Sequence, residues 1–452
     1  MFLPMTRREM RDRGWDQLDV ILVTGDAYID SPHMGIAVVG HVLADVGYRV
    51  GVIAQPDIHG TEDITRLGEP TLFWGVSGGS IDSMVANYTA LKKPRRSDDY
   101  TPGGRNDRRP DRAVIVYTNL IKRYVKDTVP IVLGGIEASL RRVAHYDYWD
   151  DAVRRSVLLD AKADYLLYGM AEKSVVALAD ALRFGVPPES LRGLCYIDSE
   201  PQKGYLELPA YEAVVADKRA FIEMFHTFYH NTDPRSARGL MQRYDSRYLI
   251  QNPPASYLTQ GELDEVYALD FEREAHPAYE EQGTIKALET IRFALNTHRG
   301  CYGECNFCAI SVHEGRTVRW RSPESIEGEA RELVARPDFG GYIQDVSGPT
   351  ANMYGFECPK KLREGVCEDR RCIYPTVCPT LPVDHGQHLT LLRRLRRLPG
   401  VKKVFVSSGL RPDLVVHDET SGEAYLEELV AHYFSGQMKV APEHVSATVL
   451  DS

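Results

Sequence analysis

The first two hundred residues alternate apolar runs with stretches whose apolar positions recur at helical spacing. Val20-Ile-Leu-Val-Thr24, Val50-Gly-Val-Ile-Ala54, Thr71-Leu-Phe-Trp74, Ile131-Val-Leu133, Tyr165-Leu-Leu-Tyr168 and Leu194-Cys-Tyr-Ile197 read as strands. Between them, the 35–46 stretch carries Ile36, Val39, Leu43 and Val46 on one helical face, and 113–125 reads the same way. Strands that are apolar on both faces belong in a parallel sheet covered by helices on each side. Residues 1–200 therefore predict a doubly wound, Rossmann-like α/β domain. Any ligand would sit beyond the carboxyl ends of its strands.

Residues 201–285 break the alternation. They hold one helical stretch, 211–229, and Pro-rich pieces at Asn252-Pro-Pro254 and His276-Pro277, and so predict a helical and irregular connector. A second βα series starts at Ile291-Arg-Phe-Ala-Leu295. It continues with strands at Gly341-Tyr-Ile-Gln344, Lys403-Val-Phe-Val406 and Gln437-Met-Lys-Val440, separated by helices over 323–336, 388–398 and 424–433. Each strand runs into polar, Gly or Pro residues, where a TIM-type βα barrel places its functional groups. Residues 286–452 thus predict a partial barrel with a Cys-rich insertion at 353–385. Four strands are fewer than a closed barrel needs.

Composition narrows the function classes. Of 452 residues, 43% are hydrophobic and 26% charged, which excludes a disordered or fibrous chain. A net charge of −10 argues against a whole-surface grip on nucleic acid. It leaves one local basic stretch, Lys92 to Arg112, which reads as a solvated surface loop. No run reaches the ~18 apolar residues of a membrane span, and the Arg-rich first residues have no apolar core behind them. The expected location is the cytoplasm, with no membrane partner.

The eight cysteines are unevenly placed. Cys195 stands alone, Cys301, Cys305 and Cys308 lie together, and Cys358, Cys367, Cys372 and Cys378 form a second set. Such clusters in a long cytosolic chain suggest metal instead of disulfides. Gly300-Cys301-Tyr-Gly-Glu-Cys305-Asn-Phe-Cys308 can wrap one metal centre unaided. If that centre is a four-iron cube, three thiolates leave one iron open, and an open metal position is a reaction site. Gly300 and Gly303 permit the tight turn. A zinc site completed by a histidine, or three plain core thiols, are the bland alternatives.

This spacing, with an aromatic residue just before the last cysteine, resembles the radical S-adenosylmethionine superfamily. Phe2-Leu-Pro-Met5, Gly134-Gly-Ile-Glu-Ala-Ser139, Asn296-Thr-His-Arg-Gly-Cys301, Gly348-Pro-Thr-Ala-Asn352 and Lys439-Val-Ala-Pro-Glu443 make the chain similar to the YgiQ-type family within it. Members of that family are generally longer, which implies barrel strands beyond those counted here. The resemblance implies a 4Fe-4S cluster on Cys301, Cys305 and Cys308, with S-adenosylmethionine chelating the open iron. It further implies reductive cleavage to a 5′-deoxyadenosyl radical that takes hydrogen from a substrate, and an electron donor such as flavodoxin or ferredoxin. By superfamily logic Phe307 would lie near the adenine, and Asp345, Ser347 and Gly348 would meet the amino group. Ser408 and Arg411 would meet ribose or carboxylate, Arg being suited to a carboxylate. Lys439 and Glu443 flank the fourth strand end. Ser347 stands where many superfamily members carry Gly.

The second cysteine set matches neither a zinc ribbon nor a bacterial ferredoxin. Zinc, an auxiliary iron–sulfur cluster and unligated thiols all stay open for it. The N-terminal domain resembles cobalamin-binding domains found in front of some radical enzymes. However, Asp57-Ile-His59-Gly-Thr-Glu62 ends its D-x-H-x-x-G pattern in Glu62, so no cobalamin is expected. Two rivals share the cysteines: an iron–sulfur electron carrier, and a metal-stapled RNA-binding module using the 92–112 loop. A carrier needs no barrel, and no RNA-binding motif accompanies the loop. No residue pattern names the substrate.

Overall fold

In this computed structural model, which describes residues 1–440 and 446–450, nine strands make one sheet. They are β1 (Val20–Thr24), β2 (Val50–Ala54), β3 (Phe73–Ser77), β4 (Ile131–Gly134), β5 (Tyr165–Leu167), β6 (Leu194–Asp198), β7 (Leu206–Leu208), β8 (Leu240–Tyr244) and β9 (Arg247–Gln251). Their spatial order is β7-β8-β9-β6-β5-β4-β3-β1-β2. From β2 to β5 neighbours run parallel, and every residue of β1 and β2 is buried. This is the both-faces-covered pattern their apolar runs dictate. Helices Gly35–Asp45 and Ala113–Tyr124 lie in the crossovers between parallel strands, and Glu172–Phe184 joins β5 to β6.

The parallel rule stops at β6, which runs antiparallel to β5. The stretch expected to be a connector supplies β7, β8 and β9, the last two as a hairpin turning at Asp245 with φ 52°. The helix expected over 211–229 is two, Tyr211–Ala216 and Lys218–His230. The break falls at Asp217, whose carboxylate caps the second helix by accepting from the Arg219 N–H.

At the opposite edge, β2 is covered by the chain's first residues. The Val52 N–H donates to the Pro4 carbonyl at 2.9 Å, and Leu3 and Met5 are buried there.

The chain divides into two compact units. The first is Met1–Tyr257 with Leu269–Arg292, and the second is Leu258–Ala268 with the residues from Phe293 onward. The second unit's strands are short: β10 (Ala294–Asn296), β11 (Tyr342–Ile343), β12 (Asp345–Ser347) and β13 (Lys403–Val404). β10 pairs in parallel with β12, and β11 with β13, so three successive βα turns lie side by side. Helices Pro323–Ala335 and Gly386–Arg396 cover them through Ile326, Leu333, Leu392 and Leu395. Among the described residues this is a short parallel array and not a closed barrel. The strand expected over 437–440 makes only an isolated bridge, Leu410 to Val440. Among them, too, no helix is long and apolar enough to cross a membrane.

Candidate metal and cosubstrate site

The cysteine loop leaves β10 through His298–Arg299, which pairs with Arg319–Trp320. Gly300 turns the chain with φ 84°. A Cβ there would meet the Thr317 carbonyl oxygen at 2.5 Å, so only glycine fits. The Gly300 N–H donates to Glu314 and the Cys301 N–H to the Gly315 carbonyl, at 3.0 and 3.3 Å. Gly303 is needed for another reason. The place its Cβ would take is 3.3 Å from the Cys301 sulfur and 3.4 Å from the Cys305 sulfur, so both thiols converge on it. The Cys308 N–H donates to the Cys305 carbonyl at 2.9 Å, which folds the third cysteine back beside the second.

Burial pushes the Cys301 thiol up, opposed by hydrogen bonds from Thr350 (3.4 Å) and the Gly303 N–H (3.3 Å). The neighbouring Cys305 and Cys308 add to the rise. A Cys301 thiol that is costly to ionise without a counter-charge is a donor suited to a cation. Among the described residues no three His, Cys, Asp or Glu side chains lie close enough for a single ion. A four-iron cube spreads its thiolates more widely, and three thiols on one short loop fit it.

Three of the expected cosubstrate residues come together. The Asp345 carboxylate accepts from the Ser347 hydroxyl at 2.8 Å, the Ser408 hydroxyl at 2.7 Å and the Ser407 N–H at 2.8 Å. The two seryl oxygens are 2.9 Å apart. This polar triangle joins the ends of β12 and β13. Arg411 follows on the same loop. Its guanidinium pairs with Asp413 at 2.5 Å and lies within electrostatic reach of Cys305 and Cys301, all of which raise its affinity for a proton. Gly348 packs on His298, and a Cβ would come within 2.6–2.7 Å of its carbonyl oxygen and ring. Phe307 is 71% exposed. Lys439 is exposed, its carbonyl accepting the Leu410 N–H, while Glu443 lies outside the described residues.

The second cysteine set packs onto the first loop. Tyr302 is fully buried, stacks on Phe356 at 5.7 Å and donates its hydroxyl to the Phe356 carbonyl. The Lys361 ammonium sits 4.5 Å over the Tyr302 ring, 2.8 Å from Glu357 and 3.7 Å from the Cys372 sulfur. Arg371 donates to Asn306 at 3.0 Å. Cys358 and Cys378 both approach the Thr380 hydroxyl, at 3.8 and 3.2 Å, and the Cys378 N–H donates to the Cys372 carbonyl. Cys367 is half-buried. Glu357 and Lys361, four residues apart in a polar segment, are the site's main members that sequence reading missed.

In the first unit, the crevice beyond the strand ends is lined by protein charge. Arg109 is buried and pairs with Asp26 at 2.6 Å and Asp98 at 3.2 Å, and it donates to the Gly25 carbonyl at 3.0 Å. Gly79 leaves room for the Asp26 carboxylate and Gly78 for that of Glu137. The 92–112 loop, expected to be a solvated insertion, therefore sends one arginine into the core. His59 is exposed, and its N–H closes a local turn onto Asp57 at 3.0 Å.

The Radical SAM N-terminal family matches residues 2–294. A UPF0313 protein of Fusobacterium nucleatum is 52% identical over 450 residues, covering 99% of this chain and 79% of that one. UPF0313 proteins of Thermotoga petrophila and Clostridium botulinum are 50% and 47% identical over the whole chain, covering 79% and 71% of those proteins. Among solved structures, the radical S-adenosylmethionine methyltransferase TsrM from Kitasatospora setae gives a TM-score of 0.47 at 16% identity, over 96% of this chain and 60% of that one. A family match over more than half of the chain, with half-identical relatives along its full length, shows that the chain belongs to the radical S-adenosylmethionine proteins of the UPF0313, YgiQ-type family.

Proposed function

We propose that the chain is a radical S-adenosylmethionine enzyme whose 4Fe-4S cluster is held by Cys301, Cys305 and Cys308. The observation that carries this reading is the convergence of the Cys301 and Cys305 sulfurs on Gly303, with Cys308 folded beside Cys305. Cys301, Cys305 and Cys308 would hold the cluster, which would supply one-electron reductive cleavage of S-adenosylmethionine into methionine and a 5′-deoxyadenosyl radical able to take hydrogen from a substrate. The protein's part is to hold and orient. Asp345, fixed by two seryl hydroxyls, offers an anionic acceptor for the amino group. Arg411 offers a fork for the carboxylate, given that its pairing with Asp413 can be shared. The proposal includes no cobalamin, because Glu62 replaces the final Gly of the D-x-H-x-x-G pattern. A flavodoxin- or ferredoxin-like reductant completes it.

The test is anaerobic reconstitution. The protein should take up about four irons at this loop and, with dithionite, convert S-adenosylmethionine to 5′-deoxyadenosine and methionine. Cys305→Ala should abolish both. Cleavage that survives the substitution overturns the assignment. The same metal analysis, run for zinc and iron on the Cys305→Ala protein, reports what the second cysteine set holds.

A further inference from the structure

Behind Arg411 lies a chain of buried polar groups that nothing in the family assignment explains. Asn352 is fully buried and grips the Arg411 backbone at two points. Its Oδ1 accepts the Arg411 N–H at 2.8 Å, and its Nδ2 donates to the Arg411 carbonyl at 3.0 Å. The same Nδ2 is 3.1 Å from Nε2 of His385, whose Nδ1 is 2.8 Å from Asp418 Oδ2. The Asp418 oxygen also accepts the His385 backbone N–H at 2.8 Å.

The donor inventory fixes every proton in this chain. A backbone N–H only donates, so the atom of Asn352 facing it is the oxygen. The other amide atom is then nitrogen, with two hydrogens, one for the Arg411 carbonyl and one for His385. His385 Nε2 must therefore accept, which places its single proton on Nδ1, toward Asp418. A second proton on Nε2 would confront the Asn352 N–H, and rotating the amide would confront the Arg411 N–H instead. The arrangement closes in one protonation state only.

We propose that His385 is a positioning residue: in its neutral, Nδ1-protonated form it locks Asn352, which sets the Arg411 backbone beside the cysteine loop for S-adenosylmethionine binding. The part played by Arg411 rests on the proposed function, whereas the lock itself does not. The surroundings of His385 bear on its titration. Asp418 and Asp384 favour the charged ring, the Tyr425 ring lies 4.6 Å away on the helix Gly422–Glu428, Phe356 packs at 6.0 Å, and His388 lies on the helix Gly386–Arg396 that begins just after His385. Burial outweighs the two carboxylates and holds the ring below the ordinary histidine range, which keeps the lock closed at neutral pH.

Two measurements test this on the full chain. The first uses protein labelled with 15N-histidine, the His385 signals being identified by their loss in His385→Gln. Those signals should show a neutral Nδ1–H ring at pH 7; an Nε2–H ring overturns the lock whatever the protein binds. The second measures S-adenosylmethionine binding to the reconstituted protein by equilibrium dialysis, alongside iron content. Loss of one buried hydrogen bond predicts about tenfold weaker binding in His385→Ala at pH 7.5, with iron content retained. Wild-type binding should weaken on acidification below the ordinary histidine range, and His385→Gln should lack that acid limb. Unchanged binding in His385→Ala, or an acid limb that persists in His385→Gln, overturns the proposal. If the wild-type protein holds iron but binds no S-adenosylmethionine, the proposed function fails separately, while the nitrogen spectra still judge the lock.

Discussion

Lys361 and Glu357 form a buried ion pair 2.8 Å long, placed so that the ammonium lies over the ring of Tyr302, the residue between Cys301 and Gly303. The cysteine-rich segment thereby packs against the Cys301–Cys308 loop. Glu357 also accepts the Val318 and Cys358 N–H groups at 2.7 Å each, and Lys361 donates to the Arg316 carbonyl at 2.8 Å. Removing one partner of such a pair strands the other charge, at a cost of about 3–5 kcal/mol. Lys361→Met should destabilise the chain by that order in chemical denaturation. The double variant with Glu357→Gln should recover more than half of the loss. No recovery would mean the pair is not the source of the effect.

Gly303→Ala separates metal uptake from folding. The added methyl carbon has to occupy a point 3.3–3.4 Å from two sulfurs. Backbone strain is not the cause, since an exposed or loop Gly→Ala change alone costs under about 1 kcal/mol. Iron per chain after reconstitution should fall by half or more while the melting temperature of the iron-free protein stays within a few degrees. A full iron complement would show that the sulfurs do not need that space.

Acid should unfold this protein early. Burial pulls His145 down to about 4, and His298 and His388 to about 3. All three are held neutral in the fold but take up protons near pH 6.5 once unfolded. Their contribution is complete above that pH and is lost as pH falls toward the folded values. By pH 5 each should account for about 2 kcal/mol of lost stability. Urea midpoints at pH 7.5, 6 and 5 check this, and His145→Phe should flatten part of the slope.

Arg109 holds two carboxylates that have no water to turn to. Arg109→Met leaves Asp26 and Asp98 buried against each other and should cost about 3–5 kcal/mol. Arg109→Lys should recover little, because a point charge does not reproduce the fork that reaches Asp26, Asp98 and the Gly25 carbonyl. Chemical denaturation of the two variants decides it. Wild-type-like stability of either would mean that water reaches the crevice.

Much of this was legible in advance where one local rule decides the outcome. β1 and β2 fall on the residues their apolar runs named, because five consecutive buried positions leave no competing period. The cysteine loop was legible because its three thiols are local in sequence and the loop brings them together. Non-local outcomes were hidden. Leu240–Tyr244 and Arg247–Gln251 read Leu-Met-Gln-Arg-Tyr and Arg-Tyr-Leu-Ile-Gln, with neither an unbroken apolar run nor a clean alternation, and they are strands because the sheet offers them a paired edge. Arg109 looked like one charge among many in the 92–112 loop, and only the fold supplies the two aspartates that bury it. The strand expected over 437–440 has apolar character but pairs at one residue only. Among the expected cosubstrate groups, Asp345, Ser347 and Ser408 were placed together by strand-end logic, whereas the Asn352 grip on Arg411 needed three separate chain segments to meet.

The short Leu3-Pro4-Met5 segment against β2 has a bearing on solubility. An apolar border strand with free N–H and carbonyl groups is a template onto which another copy can zip, and such zipping begins fibrils. Here a proline carbonyl takes the Val52 N–H and two apolar side chains roof the strand, so the border is closed by a residue with no N–H of its own to offer a newcomer. The segment serves as a guard against self-association as much as a part of the core.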